Sequence, residues 1–269
     1  MSGIQTLSKI QSLVLLGCGK MGSALLQGWL DAGLEPARTS IIEPAPSPWL
    51  QGQGVNLNPA TLPDATIAVI AVKPQMIGEA APQLQALAGR GTVFLSIAAG
   101  TTIAEFEALF GADAPIIRAM PNTPAAVGRG ISALIGNAKA SADDLEMAEA
   151  LMAAVGDTVQ LQDEEQMDAV TGLSGSGPAY VFHMIEAMAA AGEAQGLPAE
   201  MAMRLARATV SGAGALAAGS EEEAAQLRIN VTSPGGTTAA GLEVLMPDLP
   251  GLMRKTVAAA ADRSRELRA

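Results

Sequence analysis

Cysteine, histidine, aromatic side chains and positive charge are all scarce in this 269-residue chain. Each scarcity excludes something. With Cys18 as the single cysteine there is no internal disulfide and no cysteine-based zinc site. His183 is the single histidine and falls inside a helical pattern, so it reads as a buried or rim residue rather than a general base. No Ser/His/Asp arrangement or metal cluster can be assembled. Aromatics make up 3%, so the core must come from Ala, Leu, Ile, Val and Met. Sixteen Lys and Arg stand against 27 Asp and Glu, a net charge of −11, which leaves no basic footprint for nucleic acid. Long apolar runs are missing too. The strongest, Ile67 to Val72, is far short of the ~20 residues that span a bilayer. The early run Leu13 to Leu16 ends in glycines rather than at a small-residue cleavage site, so no signal peptide is read. These absences describe a cytoplasmic protein with neither a membrane nor a nucleic-acid partner.

What is present is apolar surface. Hydrophobic residues make up 49% and charged residues 16%, which excludes disorder. A chain of this length buries roughly three-quarters of its unfolded surface. A mean hydropathy of +0.29 asks for more burial than that, and a subunit interface would supply it. Up to about residue 160, strand and helix patterns alternate: strands at Ile10–Leu16, Ser40–Ile42, Thr66–Val72, Thr92–Ile97 and Pro115–Arg118. Helices are read at Met21–Ala32, Gln75–Ala88 and Thr102–Phe110. This predicts an α/β fold with a doubly wound parallel sheet. From Glu164 no strand is evident, and helices are read at Tyr180–Gln195, Ala199–Ala218, Thr237–Leu245 and Gly251–Leu267. The boundary is placed at 162, giving an N-terminal dinucleotide-binding domain (1–162) and an all-helical domain (163–269).

Gly17-Cys18-Gly19-Lys20-Met21-Gly22 reads G-x-G-x-x-G between the first strand and the first helix. There it lets backbone approach a pyrophosphate seated on the helix N-terminus. Cys18 reads as a small residue that fits the turn, and Lys20 adds a charge beside the phosphates. An acid at the end of the second strand reads the adenosine ribose in such sheets, and Glu43 is placed for that, or is an exposed turn residue before Pro44. Its charge would repel a 2′-phosphate, favouring NADH over NADPH. Ala71-Val72-Lys73-Pro74, Ser96-Ile97-Ala98-Ala99-Gly100 and Met120-Pro121-Asn122-Thr123-Pro124 each follow a strand, where ligands of doubly wound sheets bind. Each also reads as a plain connector. In the helical half, Gly172 to Tyr180 and Val231 to Thr238 offer hydroxyls and free N–H groups at helix starts. These are receptors for a small carboxylate or ordinary caps. With no general base in view, the chemistry is assigned to a bound cofactor.

Taken in order from residue 11 to 267, these motifs resemble pyrroline-5-carboxylate reductase, most specifically in Ser233-Pro234-Gly235-Gly236-Thr237-Thr238. The resemblance implies a Rossmann domain and a helical domain that forms a homodimer, often within a decamer. It implies reduction of 1-pyrroline-5-carboxylate to L-proline by NAD(P)H, with hydride passing to the carbon of a cyclic C=N bond. It also assigns Ser233 and the Gly236 and Thr237 backbone to the substrate carboxylate, Thr238 to the ring nitrogen, Glu221 to the pocket wall and Asn58 to the cofactor. The sequence departs from the family at Lys20 for a frequent Asn, at Glu43 for Ser or Thr, and at Glu223-Ala224 for His-Pro. Two rival readings stay open: a 3-hydroxy-acid or other imine reductase of the same build, and a nucleotide-binding protein without turnover. The lack of any lysine from Glu164 to Glu200 counts against the 3-hydroxy-acid enzyme, and the intact Thr237-Thr238 loop against the second.

Overall fold

A computed structural model describes Leu7 and residues 10–267. The chain divides into two compact units, Met1–Gly175 with Ala260–Ala269, and Ser176–Ala259.

Strand β1 (Leu13–Leu16) is four apolar residues with no exposed surface to speak of, as expected where both faces of a sheet are covered. Chain order then runs α1 (Lys20–Asp31), β2 (Thr39–Ile42), α2 (Pro48–Gln51), β3 (Asn56–Leu57) and β4 (Ile67–Ile70). It continues through α3 (Ile77–Ala80), β5 (Val93–Ser96), α4 (Ile103–Phe110), β6 (Ile116–Met120) and β7 (Gly130–Gly136). The unit's last elements before the helical half are α5 (Ala142–Ala153), β8 (Gly156–Gln160) and α6 (Gln166–Val170). Together they form one eight-stranded sheet in the order β3-β2-β1-β4-β5-β6-β7-β8. Its first six positions follow the strand order of dinucleotide-binding sheets.

Side chains alternate across that sheet. Leu13 and Leu15 join Leu25, Trp29 and Leu151 on one face. Val14 and Leu16 join Phe94, Phe106 and Phe110 on the other. Trp29 is wholly buried and its indole N–H donates to the Leu151 carbonyl at 2.9 Å.

The parallel expectation needs one correction, because β7 runs antiparallel to β6. The link between them, 121–129, is too short to carry a crossover helix, and an antiparallel return needs none. α5 then supplies a crossover, and β8 lies parallel to β7. The stretch read as a helix over 75–88 is also interrupted. It contains α3 between tight 3₁₀ turns at Pro74–Met76 and Ala81–Leu87, since Pro82 has no N–H to continue the ladder. Beyond the expected boundary at 162, Met167 and Asp168 are buried, and Ser264 donates to Asp168 Oδ1 at 2.8 Å. That packing carries the first unit on to Gly175.

The helical unit holds α7 (Gly177–Ala194), α8 (Ala199–Ala218), α9 (Ala224–Asn230) and most of α10 (Thr237–Glu266). The two helices expected over 237–267 are one, running through Pro247 and Pro250. Each proline removes one bond, to the carbonyls of Glu243 and Met246. These lie within a turn of each other, so the helix is interrupted once rather than ended. His183, expected as a buried or rim residue, stands exposed on α7, with Nδ1 3.0 Å from Glu186 Oε2.

Candidate functional site

The turn after β1 shows why three glycines stand there. Gly17 has φ +88°, and a Cβ on it would lie 2.8 Å from Val72 Cγ1 and 3.0 Å from the Ala71 backbone. A Cβ on Gly22 would strike the Gly17 carbonyl at 2.6 Å, so helix and turn close only without it. Around Gly19 the same atom would meet nothing within 4 Å. The space a pyrophosphate needs is therefore open there. Gly19 is also the N-cap of α1, with no side chain bonded to the exposed N–H groups. That leaves donors at the positive end of a twelve-residue helix. Lys20 opens the helix and Met21 is partly buried behind it. Burial pushes the Cys18 thiol up from its ordinary 9.0, opposed by a hydrogen bond with Ser23 and reinforced by the Glu43 charge.

Glu43 leaves the end of β2 and turns toward this loop. Its Oε2 accepts from the Cys18 N–H at 2.8 Å and its Oε1 from the Ala45 N–H at 3.0 Å. Two bonds leave further acceptor capacity on a carboxylate. Asn58, just past β3, folds its amide onto the Glu43 main chain. Its Oδ1 accepts from the Glu43 N–H at 2.8 Å and its Nδ2 donates to the Glu43 carbonyl at 2.9 Å.

A cavity of about 550 Å³ collects Gly17 and Gly19, Glu43 and Asn58, and Ala71, Val72 and Lys73 from beyond β4. Met76, Glu79 and Gln83 also line it. Sequence reasoning missed these three; the signal was their place in the segment that follows Lys73-Pro74. An adjoining hollow of about 470 Å³ shares Asn58 and Gln83 and reaches Arg90, whose guanidinium bonds Asp64 at 2.8 Å.

Other expected residues lie elsewhere. Ala98 is buried after β5, its N–H on Ser96 Oγ. Asn122 follows β6 with its amide engaged, Nδ2 donating to the Ser174 carbonyl at 3.2 Å and Oδ1 accepting from the Ile131 N–H at 3.0 Å. It braces the loop after the strand. In the helical unit, Ser233, Gly236, Thr237 and Thr238 lead into α10. The Gly236 N–H donates to the Ser233 carbonyl at 3.0 Å, so Gly236 shapes the turn, while Thr237 and Thr238 head the helix with first-turn N–H groups. Glu221 is exposed in the loop before α9. A 440 Å³ hollow on this unit, bounded by Arg228, Leu242 and Met246, contains none of them.

A phosphate-ready helix terminus on a sheet of this order, with a carboxylate just past the second strand, is the build of oxidoreductases that work with a nicotinamide dinucleotide. Comparison with known proteins narrows the class. Residues 164–267 match the family model described as pyrroline-5-carboxylate reductase dimerisation, and 12–100 the one described as NADP oxidoreductase, coenzyme F420-dependent. A pyrroline-5-carboxylate reductase of Pseudomonas aeruginosa is 38% identical over 95% of this chain and 96% of its own. The solved pyrroline-5-carboxylate reductase of Coxiella burnetii is similar with TM-score 0.90 and 33% identity, covering 96% of this chain and 99% of that one. That of Plasmodium falciparum, with NADP bound, is similar with TM-score 0.81 and 28% identity, covering 96% and 98%. The chain belongs to the pyrroline-5-carboxylate reductase family.

Proposed function

We propose that this chain reduces 1-pyrroline-5-carboxylate to L-proline and takes NADH in preference to NADPH. The family match over nearly the whole length carries the first half of that reading, and Glu43 carries the second. When bound, the cofactor supplies a hydride to the carbon of the C=N bond, and a proton from solvent completes the amine. The protein's own residues position and protonate. Gly17, Gly19 and the first turn of α1, with Lys20 beside them, hold the pyrophosphate. Ala71, Val72 and Lys73 border the same cavity, and Ala98 and Asn122 shape the sheet's carboxyl edge beyond it.

The Ser233 hydroxyl and the Thr237 N–H receive the substrate carboxylate in a turn that Gly236 closes. Thr238 faces the ring nitrogen. A threonine hydroxyl is a poor acid, so it acts as a hydrogen-bonding relay, and most of the rate comes from holding two reactants in register. Glu221 lines the substrate pocket.

Glu43 decides between cofactors by charge. A 2′-phosphate beside it, at an effective dielectric near 20, meets a repulsion of up to about 4 kcal/mol at ~4 Å, reduced by salt. A third of that is roughly a tenfold preference. Glu79 adds a second acid to the same cavity wall. The enzyme works in the cytoplasm as a homodimer or a decamer built from dimers, the helical unit providing the contact.

The test is NADH oxidation with pyrroline-5-carboxylate, followed as loss of 340 nm absorbance. Expected are turnover to proline and a higher kcat/KM with NADH than with NADPH. A shift toward NADPH is expected in Glu43→Ser. Absence of turnover with either cofactor would leave only nucleotide binding. Clear NADPH preference in the wild type at low salt would place the Glu43 charge away from the ribose.

A further inference from the structure

Asn58 is the one described residue other than glycine with positive φ, at +47°. L side chains pay for this conformation, Asn less than most. Glycine would adopt it without strain, so what the asparagine adds is its amide. Both amide atoms are spent on a single residue. They accept from and donate to the main chain of Glu43, closing a two-bond clamp across the ends of β2 and β3. The strands beneath are in register, Ile41 opposite Leu57, and the Asn58 N–H donates to the Ile41 carbonyl at 2.8 Å. The clamp is thus a last rung added where the ladder stops. From this fixed backbone the Glu43 carboxylate reaches the Cys18 N–H of the glycine turn.

β1 holds β2 as far as Ile42, whose carbonyl accepts from the Gly17 N–H at 2.9 Å, while the edge strand β3 on the other side has only two residues. Glu43 is followed at once by Pro44, Ala45 and Pro46, which add a single main-chain donor, the Ala45 N–H bonded to Glu43's own carboxylate. Among the described residues, the Asn58 amide makes the hydrogen bonds to Glu43's own main chain, one step beyond the last residue that β1 holds.

We infer that Asn58 is a positioning residue for cofactor choice: it holds the Glu43 carboxylate where a 2′-phosphate would have to lie. This rests on the NADH reading and extends it to a residue that acts through another. The direction of its effect follows. Removing the clamp frees Glu43 to swing toward solvent, so NADPH gains while NADH, bound mainly through its pyrophosphate, loses less than it would from a broken contact.

The experiment is a double-mutant cycle on the full-length enzyme, with Asn58→Gly, Glu43→Ser and the pair. Asn58→Gly keeps the backbone conformation and removes only the amide. The readout is kcat/KM with NADH divided by kcat/KM with NADPH, at low and at high ionic strength. Glu43→Ser is expected to lower that ratio about tenfold, Asn58→Gly about fivefold, and the pair no further than Glu43→Ser alone. High salt should shrink the ratio in the wild type and leave it nearly unchanged in Asn58→Gly. If Asn58→Gly does not fold, Asn58→Ser, too short to make both bonds, carries the same measurement. Equal losses with both cofactors and an unchanged ratio would overturn the inference and make Asn58 a plain contact or a structural brace. So would additive effects in the pair. If Glu43→Ser itself leaves the ratio unmoved, the NADH reading falls, and the inference with it.

Discussion

The two units bury very different things. In the first, Trp29, Phe94 and Phe106 are all but fully enclosed, and both faces of the sheet are covered. In the second, the buried residues of α7 and α8 are Ala189, Ala202 and Ala206, while Phe182 is 60% exposed and Val244 76%. Met184, Leu205, Leu216 and Met246 are exposed with them. Large apolar side chains exposed in this number mark an interaction surface. One unit closes its own core, whereas the other reads as half of a core, and the match to a dimerisation family model falls on it. The first unit's stability should therefore be intrinsic and the second's dependent on concentration.

The largest effect should come from truncating the self-contained core. Trp29→Ala should cost about 3–5 kcal/mol and lower the thermal midpoint by roughly 10 °C. Phe182→Ala, a comparable truncation in the other unit, should barely move the midpoint in dilute protein and should instead weaken self-association in ultracentrifugation. Equal destabilisation by both would erase the distinction. A fragment beginning at Asp163 sharpens it further: it should dimerise or aggregate, and a well-behaved monomer would refute the half-core argument. Next in size, Thr238→Ala should lower kcat about a hundredfold with little change in cofactor affinity. Ser233→Ala should mainly raise KM, by about tenfold for a lost hydrogen bond to a carboxylate. If both kept wild-type kinetics, Ser233-Pro234-Gly235-Gly236-Thr237-Thr238 would be helix capping and nothing more.

The smallest effect is a pH dependence confined to the first unit. The Cys18 thiol is raised above 9.0 in the folded protein, so folded and unfolded states agree in protonation below that value. As pH rises past it the unfolded thiol ionises first, and stability falls until the folded thiol follows. Cys18→Ala should remove that decline, a difference of less than about 2 °C between the two proteins on going from neutral to strongly basic buffer. A decline that persists in Cys18→Ala would assign it to other groups.

Much of this was legible because certain residues have few alternatives. Gly17 and Gly22 stand where backbone leaves no room for Cβ, and such positions advertise themselves in sequence. Ala199–Ala218 was read to the residue, since Pro198 and Gly219 bracket it. Strands β7 and β8 were not, because their residues mix apolar with Ser, Thr, Asp and Gln and only pairing decides them. Pro247 and Pro250 misled in the other direction: as local signals they end a helix, while thirty residues of helix carried them through. The Glu43–Asn58 clamp was invisible, since fifteen residues and a left-handed backbone separate its parts from any pattern.

The hydrogen bond from Ser264 to Asp168 joins positions 96 residues apart, both in the first unit, with the helical unit between them in the chain. As the chain leaves the ribosome, the sheet and both faces of its core can assemble long before residues 260–267 exist. The seat beside Asp168 waits for them. Packing of the first unit is thus completed by a segment that follows the second unit in the chain, and only after that unit has emerged. The order in which these residues are made is not the order in which the first unit closes.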